Sequence, residues 1–379
     1  MRSIVFTGKG GSGVSTLAAA TAVALAGSGR RTLAFGLGRG LSAAFDKPLG
    51  ELATPLDADL WGLEAVRPSH EEPGLFLEWL RDLFLWRDMD ETVADDIAAL
   101  PGLVEIGCLL TLEERIESDE YDAVVVDLPA ARHALDLLSA LDSAARALAR
   151  LFPERAPTVL DPFLRAFSAQ ANDGEAIYNT GRALLQRLSR LRDTLSGDSA
   201  SVRLVCAGDR TSVAEAQLAV TGLSLFAYPV DAAFCNRLHP PDSGDWSKAR
   251  RKDEKAALAH AKDSLAPLPL FPVPLAPRDL SGIDALGALA SQAYGDADPA
   301  ALLHSGPVQA FSSNGGSYVL SLALPFVDRD DLAIERLADV IVVHVGDRSR
   351  TFDLPAETRG MGSVSSAFDG ETLKVTFGA

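Results

Sequence analysis

The chain has 379 residues, 47% of them hydrophobic, and a net charge of −17. That length builds either two domains or one large one, while the acidic excess disfavours a duplex nucleic-acid partner, whose phosphates it would repel. No run is long and apolar enough to span a bilayer, and Cys108, Cys206 and Cys235 are scattered without a C-x-x-C pair, so neither a zinc clasp nor a redox dithiol is indicated.

Residues 4–6 (Ile-Val-Phe) read as a short buried strand, with no basic-then-apolar signal segment before it, and a cytoplasmic protein is expected. Next comes Thr7-Gly8-Lys9-Gly10-Gly11-Ser12-Gly13-Val14-Ser15-Thr16, then an alanine-rich helix over about 15–27. Gly8 and Gly13 have the spacing of the phosphate-binding pattern G-x-x-x-x-G-K-[ST], and Ser15 stands where a Mg²⁺-binding hydroxyl belongs. Val14 occupies the lysine position. Glycines let backbone N–H groups approach an anion, and the helix offers it a positive N-terminus. Loss of the ammonium removes a charge-assisted bond of roughly 1.5–3 kcal/mol. Lys9, earlier in the loop, is placed to compensate across a dimer interface. A loop that binds nothing is the bland alternative.

Further strands are expected over 31–36, 60–65, 121–127, 201–207 and 230–235, separated by helical stretches. This alternation indicates an α/β fold with a doubly wound, mostly parallel P-loop NTPase sheet, whose ligands sit beyond the carboxyl ends of the strands. The loop and Asp127 both lie at such ends. Residues 71–110 carry apolar positions at helical spacing (Leu75, Trp79, Phe84, Ile97), and so do 134–195 (Leu148, Leu151, Phe163, Leu184). Together they read as a helical subdomain, over about 68–120 and 134–195, which either packs as ordinary core or offers a groove to an apolar client segment. Residues 242–255 are polar and charged without apolar periodicity and read as a surface loop. Residues 291–306 look like a linker.

After it the period changes to two. Tyr318, Leu320, Leu322 and Leu324 alternate with Val319, Ser321 and Ala323, strands follow at 340–345, 350–354 and 373–377, and Gly346-Asp347 is a hairpin signal. A small all-β sandwich is expected at the C-terminal end. The domain reading is 1–295 for the NTPase unit, 296–312 for the linker and 313–379 for the sandwich.

The segment from Lys9 to Thr16 resembles the deviant P-loop of the ArsA-type ATPases, which include arsenite-pump ATPases and ATPases that target tail-anchored membrane proteins. Other segments agree in order. Leu41-Ser42-Ala43-Ala44-Phe45 is similar to the end of the first switch of that family. Pro101-Gly102-Leu103-Val104-Glu105 resembles a helix motif upstream of the second switch. The second switch is resembled by 121–127 followed by His133-Ala134-Leu135-Asp136-Leu137-Leu138. Ser212-Val213-Ala214-Glu215 and Cys235-Asn236-Arg237-Leu238 look like the adenine-recognising region. The likeness covers about residues 1–295. The tail, through 318–325, Val342-Val343-His344-Val345-Gly346, Leu354-Pro355 and 368–373, resembles an α-crystallin (small heat-shock protein) domain.

The resemblance implies ATP or ADP with Mg²⁺ as cofactors, held by Gly8, Lys9, Gly10, Gly11, Ser12, Gly13, Ser15, Thr16 and Asn236. Ser15 would ligate the metal directly and Asp127 through a water. It also exposes departures. The family reads D-P-A-H in its first switch, where this chain has Gly36-Leu37-Gly38-Arg39; the water-orienting acid has become Gly36. The second switch, D-T-A-P-T-G-H, is here Asp127-Leu128-Pro129-Ala130-Ala131-Arg132-His133, with Arg132 in the place of glycine. Arg39 and Arg132 are candidate replacements for the lost lysine. Val14, Gly36 and Arg132 together point to weak or absent hydrolysis, so no catalytic residue is assigned. The expectation is a dimer, with itself or an active paralogue, serving as a targeting or chaperone factor. An active ATPase using Lys9 in trans and a nucleotide-free scaffold for apolar segments are the alternatives. The bland roles are a helix cap for Ser15, a turn-capping acid for Asp127 and a turn amide for Asn236. Arsenite chemistry has the least support, since soft metalloids want clustered thiolates.

Overall fold

The computed structural model describes the chain except residues 66–73, 87, 99, 101, 152–170, 241–246, 307, 315–316, 338, 356–357, 359–362 and 379. Eight strands form the main sheet: β1 (Arg2–Gly8), β2 (Thr32–Gly36), β3 (Thr54–Asp57), β4 (Leu60–Glu64), β5 (Ala123–Ala130), β6 (Ala200–Ala207), β7 (Val230–Leu238) and β8 (Leu270–Pro274). Their spatial order is β3-β4-β2-β5-β1-β6-β7-β8. Only β3, at one edge, pairs antiparallel; the other pairings are parallel.

Because successive side chains of a strand point to opposite faces, β1 serves two cores. Ile4 and Phe6 pack with α1 (Val14–Gly27), α2 (Gly40–Phe45) and α10 (Ile283–Tyr294). Val5 faces α5 (Leu103–Glu117), α6 (Ala131–Leu151), α7 (Ala171–Ser196) and α8 (Arg210–Leu225). The central strands are apolar on both faces, as strands buried between two helical layers must be.

The expected helical stretches resolve into α3 (Gly74–Trp86), α4 (Glu91–Ala98) and α5 between β4 and β5, and α6 and α7 between β5 and β6. Trp79 donates its indole N–H to the Ile177 carbonyl at 2.7 Å, joining the two groups. Leu75 is exposed and Leu184 buried. Phe163 and Pro101 lie outside the described residues, as do the side chains of Leu148 and Leu151. Among the described residues no helix is long and apolar enough to cross a membrane.

The loop expected over 242–255 is corrected from residue 247 onward. Helix α9 (Ser247–Ser264) begins there, while 242–246 lie outside the described residues. Its buried apolar residues, Ala257 and Ala261, come after the polar window, and within it the buried contact is made by Glu254. That carboxylate accepts from the His239 backbone N–H at 3.0 Å and lies 2.7 Å from its Nδ1. The segment 291–306 is not a simple tether. Its first four residues end α10, where Tyr294 is buried and hydrogen-bonds Thr21 and Arg203, and the Ala301 carbonyl also accepts from Arg203.

The C-terminal strands form two antiparallel sheets, β14-β15-β10-β9 and β11-β12-β13. They are β9 (Gln309–Asn314), β10 (Ser317–Ala323), β11 (Leu332–Leu337), β12 (Val340–Val345), β13 (Arg348–Asp353), β14 (Ser363–Phe368) and β15 (Thr372–Gly378). Leu320, Leu322, Ile341, Val343, Phe352, Val375 and Phe377 are buried between them. The β12–β13 turn is the expected two-residue hairpin: Val345 pairs with Arg348, and Gly346 has φ +57°.

Candidate functional site

The loop between β1 and α1 is shaped by close approaches that only glycine permits at two positions. A Cβ on Gly8 would lie 2.0 Å from the Val205 carbonyl oxygen, and one on Gly13 would lie 2.4 Å from Nδ2 of Asn236. Gly13 also has φ +94°, in the left-handed region. The Lys9 N–H donates to Val205 O at 3.2 Å. The Ser12 hydroxyl is within bonding distance of Lys9 O (2.7 Å) and Val205 O (3.0 Å). Asn236, at the end of β7, donates Nδ2–H to Ser12 O at 2.8 Å and accepts the Arg237 N–H on Oδ1 at 2.8 Å. Its amide is thus committed to bracing the loop. Gly13 caps α1 without a side-chain hydrogen bond, so first-turn N–H groups remain to meet an anion. Gly11 has open space around it, and a Cβ on Gly10 would meet only the Ala130 Cβ, at 4.0 Å. Thr16 lies on the first turn of α1 behind Ser15.

Lys9 does not project freely. Its ammonium lies 3.9 Å from Asp209, the N-cap of α8, and 3.7 Å from Glu215 within the same chain. All three side chains are partly exposed, and the distances are long, so these pairs hold it weakly.

The second half of the site is Ser15 and Asp127. Asp127 is buried on β5, at the last position where that strand pairs with β2. Burial pushes its carboxyl up to about 7; the Ser15 hydroxyl donates to it and opposes that shift, and the nearby Glu64 adds to it. No cationic side chain among the described residues pairs with it. Hydroxyl and carboxylate form an all-oxygen donor pair suited to a hard divalent cation, and a carboxyl so poorly neutralised is a fitting place for one. The start of α2 closes over the pair: a Cβ on Gly40 would lie 2.2 Å from Ser15 Oγ and 3.2 Å from Asp127 Oδ2.

Gly36 stands between Glu64 and Asp127 in register on adjacent strands. It brings no side chain to this edge; a Cβ there would sit 3.1 Å from Leu41 and 3.4 Å from Glu64 Cγ. Glu64 was not singled out from sequence. It is fully buried, and its two oxygens accept from the Ser42 N–H (2.8 Å) and Ser42 Oγ (2.5 Å), holding α2 in place. The available signal was an acid at the end of a buried strand, beside the strand that ends in Gly36.

Arg132 reaches outward to Asp347 at 3.0 Å. His133 lies 3.7 Å from Glu105 at the start of α5. Cys206 and Cys235, far apart in sequence, are register partners on β6 and β7 and share a small buried cluster with Ala216. All three cysteines are free and buried; this pair is adjacent in the fold although separate in the sequence. The contact with the neighbouring Cys235, and then burial, push the Cys206 thiol up; burial raises Cys108, elsewhere, to about 11. Among the described residues no group of three or more His, Cys, Asp or Glu is arranged to hold a metal.

The pattern of the anion-transporting ATPase family matches residues 1–295, and that of the HSP20-like domain found in ArsA matches residues 315–377. A putative arsenical pump-driving ATPase of Prosthecochloris vibrioformis is 26% identical over 100% of this chain and 96% of its own length. An uncharacterized protein of Streptomyces coelicolor is 30% identical over 100% of this chain and 97% of its own. A Paramecium tetraurelia protein named as an ATPase ASNA1 homolog is 23% identical over 76% of this chain and 90% of its own.

Proposed function

The chain belongs to the anion-transporting ATPase family, and on that premise we propose that it is a Mg²⁺-dependent adenine-nucleotide-binding protein that hydrolyses ATP slowly or not at all. The observation that carries this reading is the contrast within one site: the phosphate loop is fully braced, while the positions for charge neutralisation and water activation hold Val14 and Gly36. In this reading residues 1–295 form the nucleotide unit, and the connector expected over 296–312 ends before Gln309, because β9 already pairs with β10 in the β module.

Backbone N–H groups of the loop other than those of Lys9 and Ser12, which already donate to Val205 O and Lys9 O, bind the phosphates, with the Lys9 side chain adding charge once it leaves Asp209 and Glu215. Ser15 and Asp127 hold Mg²⁺, which would neutralise phosphate charge and orient the phosphates. Binding requires α2 to lift from Ser15 and Asp127 to lose its proton. Thr16 supports the first turn of α1. Asn236 holds the loop, and it contacts adenine only by exchanging its present partners. Valine at position 14 offers no cation to a transferring phosphoryl group, and Gly36 offers no carboxylate to water. Glu64 does not replace that acid, because Ser42 occupies both of its oxygens.

We place the protein in the cytoplasm as a dimer, with itself or an active paralogue, acting as a targeting or chaperone factor for an apolar client. Support for the client is a cavity of about 460 Å³ walled in part by Leu135, Leu218, Leu225, Phe326 and Val345 beside Gly8. The second reading, an active ATPase using Lys9 in trans, draws on the weak intrachain hold on Lys9. Arsenite chemistry draws least support, since Cys206 and Cys235 are buried within the sheet and Cys108 is remote in the fold.

The test is titration calorimetry with ATP·Mg²⁺ and ADP·Mg²⁺ on the wild type, Ser15→Ala and Lys9→Ala. Micromolar binding that weakens in both variants supports the proposal. A folded protein without heat up to millimolar nucleotide rejects it in favour of a scaffold.

A further inference from the structure

The β module is anchored to the nucleotide unit by a buried arginine. Arg350 on β13 donates to Asp142 of α6 at 3.1 Å, to the Leu225 carbonyl at the end of α8 at 2.8 Å and to Gln309 at 2.9 Å. Arg350 and Asp142 are both buried, and Arg146 and Arg192 also bond Asp142. Breaking a buried charged contact of this kind is costly because it strands the remaining charge. Thr221 of α8 adds a bond to the Pro325 carbonyl at 2.5 Å. The base of the module is therefore fixed.

From that base the β12–β13 hairpin reaches the turn by which β5 enters α6. Arg348 pairs with Asp136 at 3.0 Å and donates to the Arg132 carbonyl at 3.3 Å; Asp347 accepts from Arg132 at 3.0 Å. The same turn touches the phosphate loop. Ala130 is the register partner of Gly8, and the Pro129 carbonyl accepts from Thr7 Oγ1 at 2.7 Å. Asp127 lies three residues before the end of β5. Between hairpin and turn lies the 460 Å³ cavity, with Gly8, Ala130 and Arg132 on one side and Val345, Asp347 and Arg348 on the other. The turn is therefore not packed solidly against the module. Polar contacts at the rim set its position, and such partly exposed pairs are individually weak and reversible.

We propose that the β12–β13 hairpin is a latch on residues 128–136, and that its docking sets the affinity of the adjoining loop for nucleotide. The coupling half of this inference rests on the nucleotide-binding reading. The latch half does not. A change that frees the hairpin releases the turn, and with it Asp127 and the Gly8 end of the loop, while Arg350 keeps the module in place.

The experiment is hydrogen exchange on the nucleotide-free full chain, comparing wild type, Arg348→Ala, Asp347→Ala and the charge swap Arg132→Asp/Asp347→Arg, followed by ATP·Mg²⁺ calorimetry on the same samples. Exchange over 128–136 is expected to rise about two- to fivefold in each single variant, the range for a weak surface pair, and to return toward wild type in the swap. Affinity for ATP·Mg²⁺ is expected to shift by a similar factor in the same variants. Unchanged exchange over 128–136 in both single variants overturns the latch. Loosened exchange with unchanged affinity in a protein that binds nucleotide overturns the coupling. A wild type that takes no nucleotide rejects the nucleotide reading and the coupling together, while the exchange result still decides the latch.

Discussion

The phosphate loop and the Gly36 edge lie on neighbouring parts of one sheet and have opposite character. Around the loop, Ser12 donates to the Val205 carbonyl and accepts from Asn236, which fixes a backbone that only glycine can follow at 8 and 13. At the Gly36 edge a position between two acids carries no side chain, Asp127 has no cationic partner among the described residues, and α2 lies directly on Ser15. Holding an anion with backbone groups demands geometry, which many contacts can supply. Moving a phosphoryl group demands placed charges, and these are the positions this chain changes. On the proposed reading the loop keeps its architecture and the chemistry beside it is reduced.

The strongest attack on that comparison is Gly8→Ala. With a Val205 oxygen 2.0 Å from the new Cβ, β1 and β6 must separate. Overpacking of this kind costs roughly 1–3 kcal/mol or more, and denaturant unfolding should show that loss together with loss of nucleotide heat. Val14→Lys tests the other side. If only a charge is missing from a sound loop, calorimetry should show ATP·Mg²⁺ affinity rising about ten- to a hundredfold, the equivalent of roughly 1.5–3 kcal/mol.

Asp127→Asn separates stability from metal binding. Burial raises the folded-state pKa of Asp127 to about 7, above its unfolded value. The folded protein therefore binds the extra proton between the two values. Stability should fall as pH rises through that window and level off above pH 7. Asn removes the titration, so the variant should melt a few degrees higher than wild type at pH 8, with a flatter pH profile, while losing the Mg²⁺-dependent part of nucleotide binding. Lys9→Ala should have the smallest effect on the fold. Its pairs are partly exposed and long, so stability should change by less than about 0.5 kcal/mol while nucleotide affinity falls measurably.

Positions where local geometry dictates the residue could be read from sequence. Gly8 and Gly13 follow from spacing and turn chemistry, Asp127 from an acid closing a valine run, and the β12–β13 turn from Gly346-Asp347. The β module core followed from alternation at Leu320 and Leu322. What was missed depends on tertiary placement. Strand β3 is a short edge strand holding Pro55, β14 is rich in serine, and β11 exposes every second residue, so none carries a strong apolar signal. Helix α9 hides its polar half behind the Glu254–His239 contact. The roles of Glu64 and Gly40 and the adjacency of the free thiols Cys206 and Cys235 arise from register between strands and from the fold of α2, which no local window contains. The Arg350–Asp142 anchor joins residues 208 positions apart.

The most direct test of a loop that holds nucleotide beside a site that cannot turn it over is to measure binding and phosphate release on one sample. ATP·Mg²⁺ is titrated into the full chain by calorimetry, and inorganic phosphate is followed in the saturated mixture. The expected result is micromolar binding with turnover at least about a hundredfold below the ~1 s⁻¹ at the lower end of ordinary enzymes. Turnover near that value, or no binding up to millimolar nucleotide by a folded protein, would contradict the account.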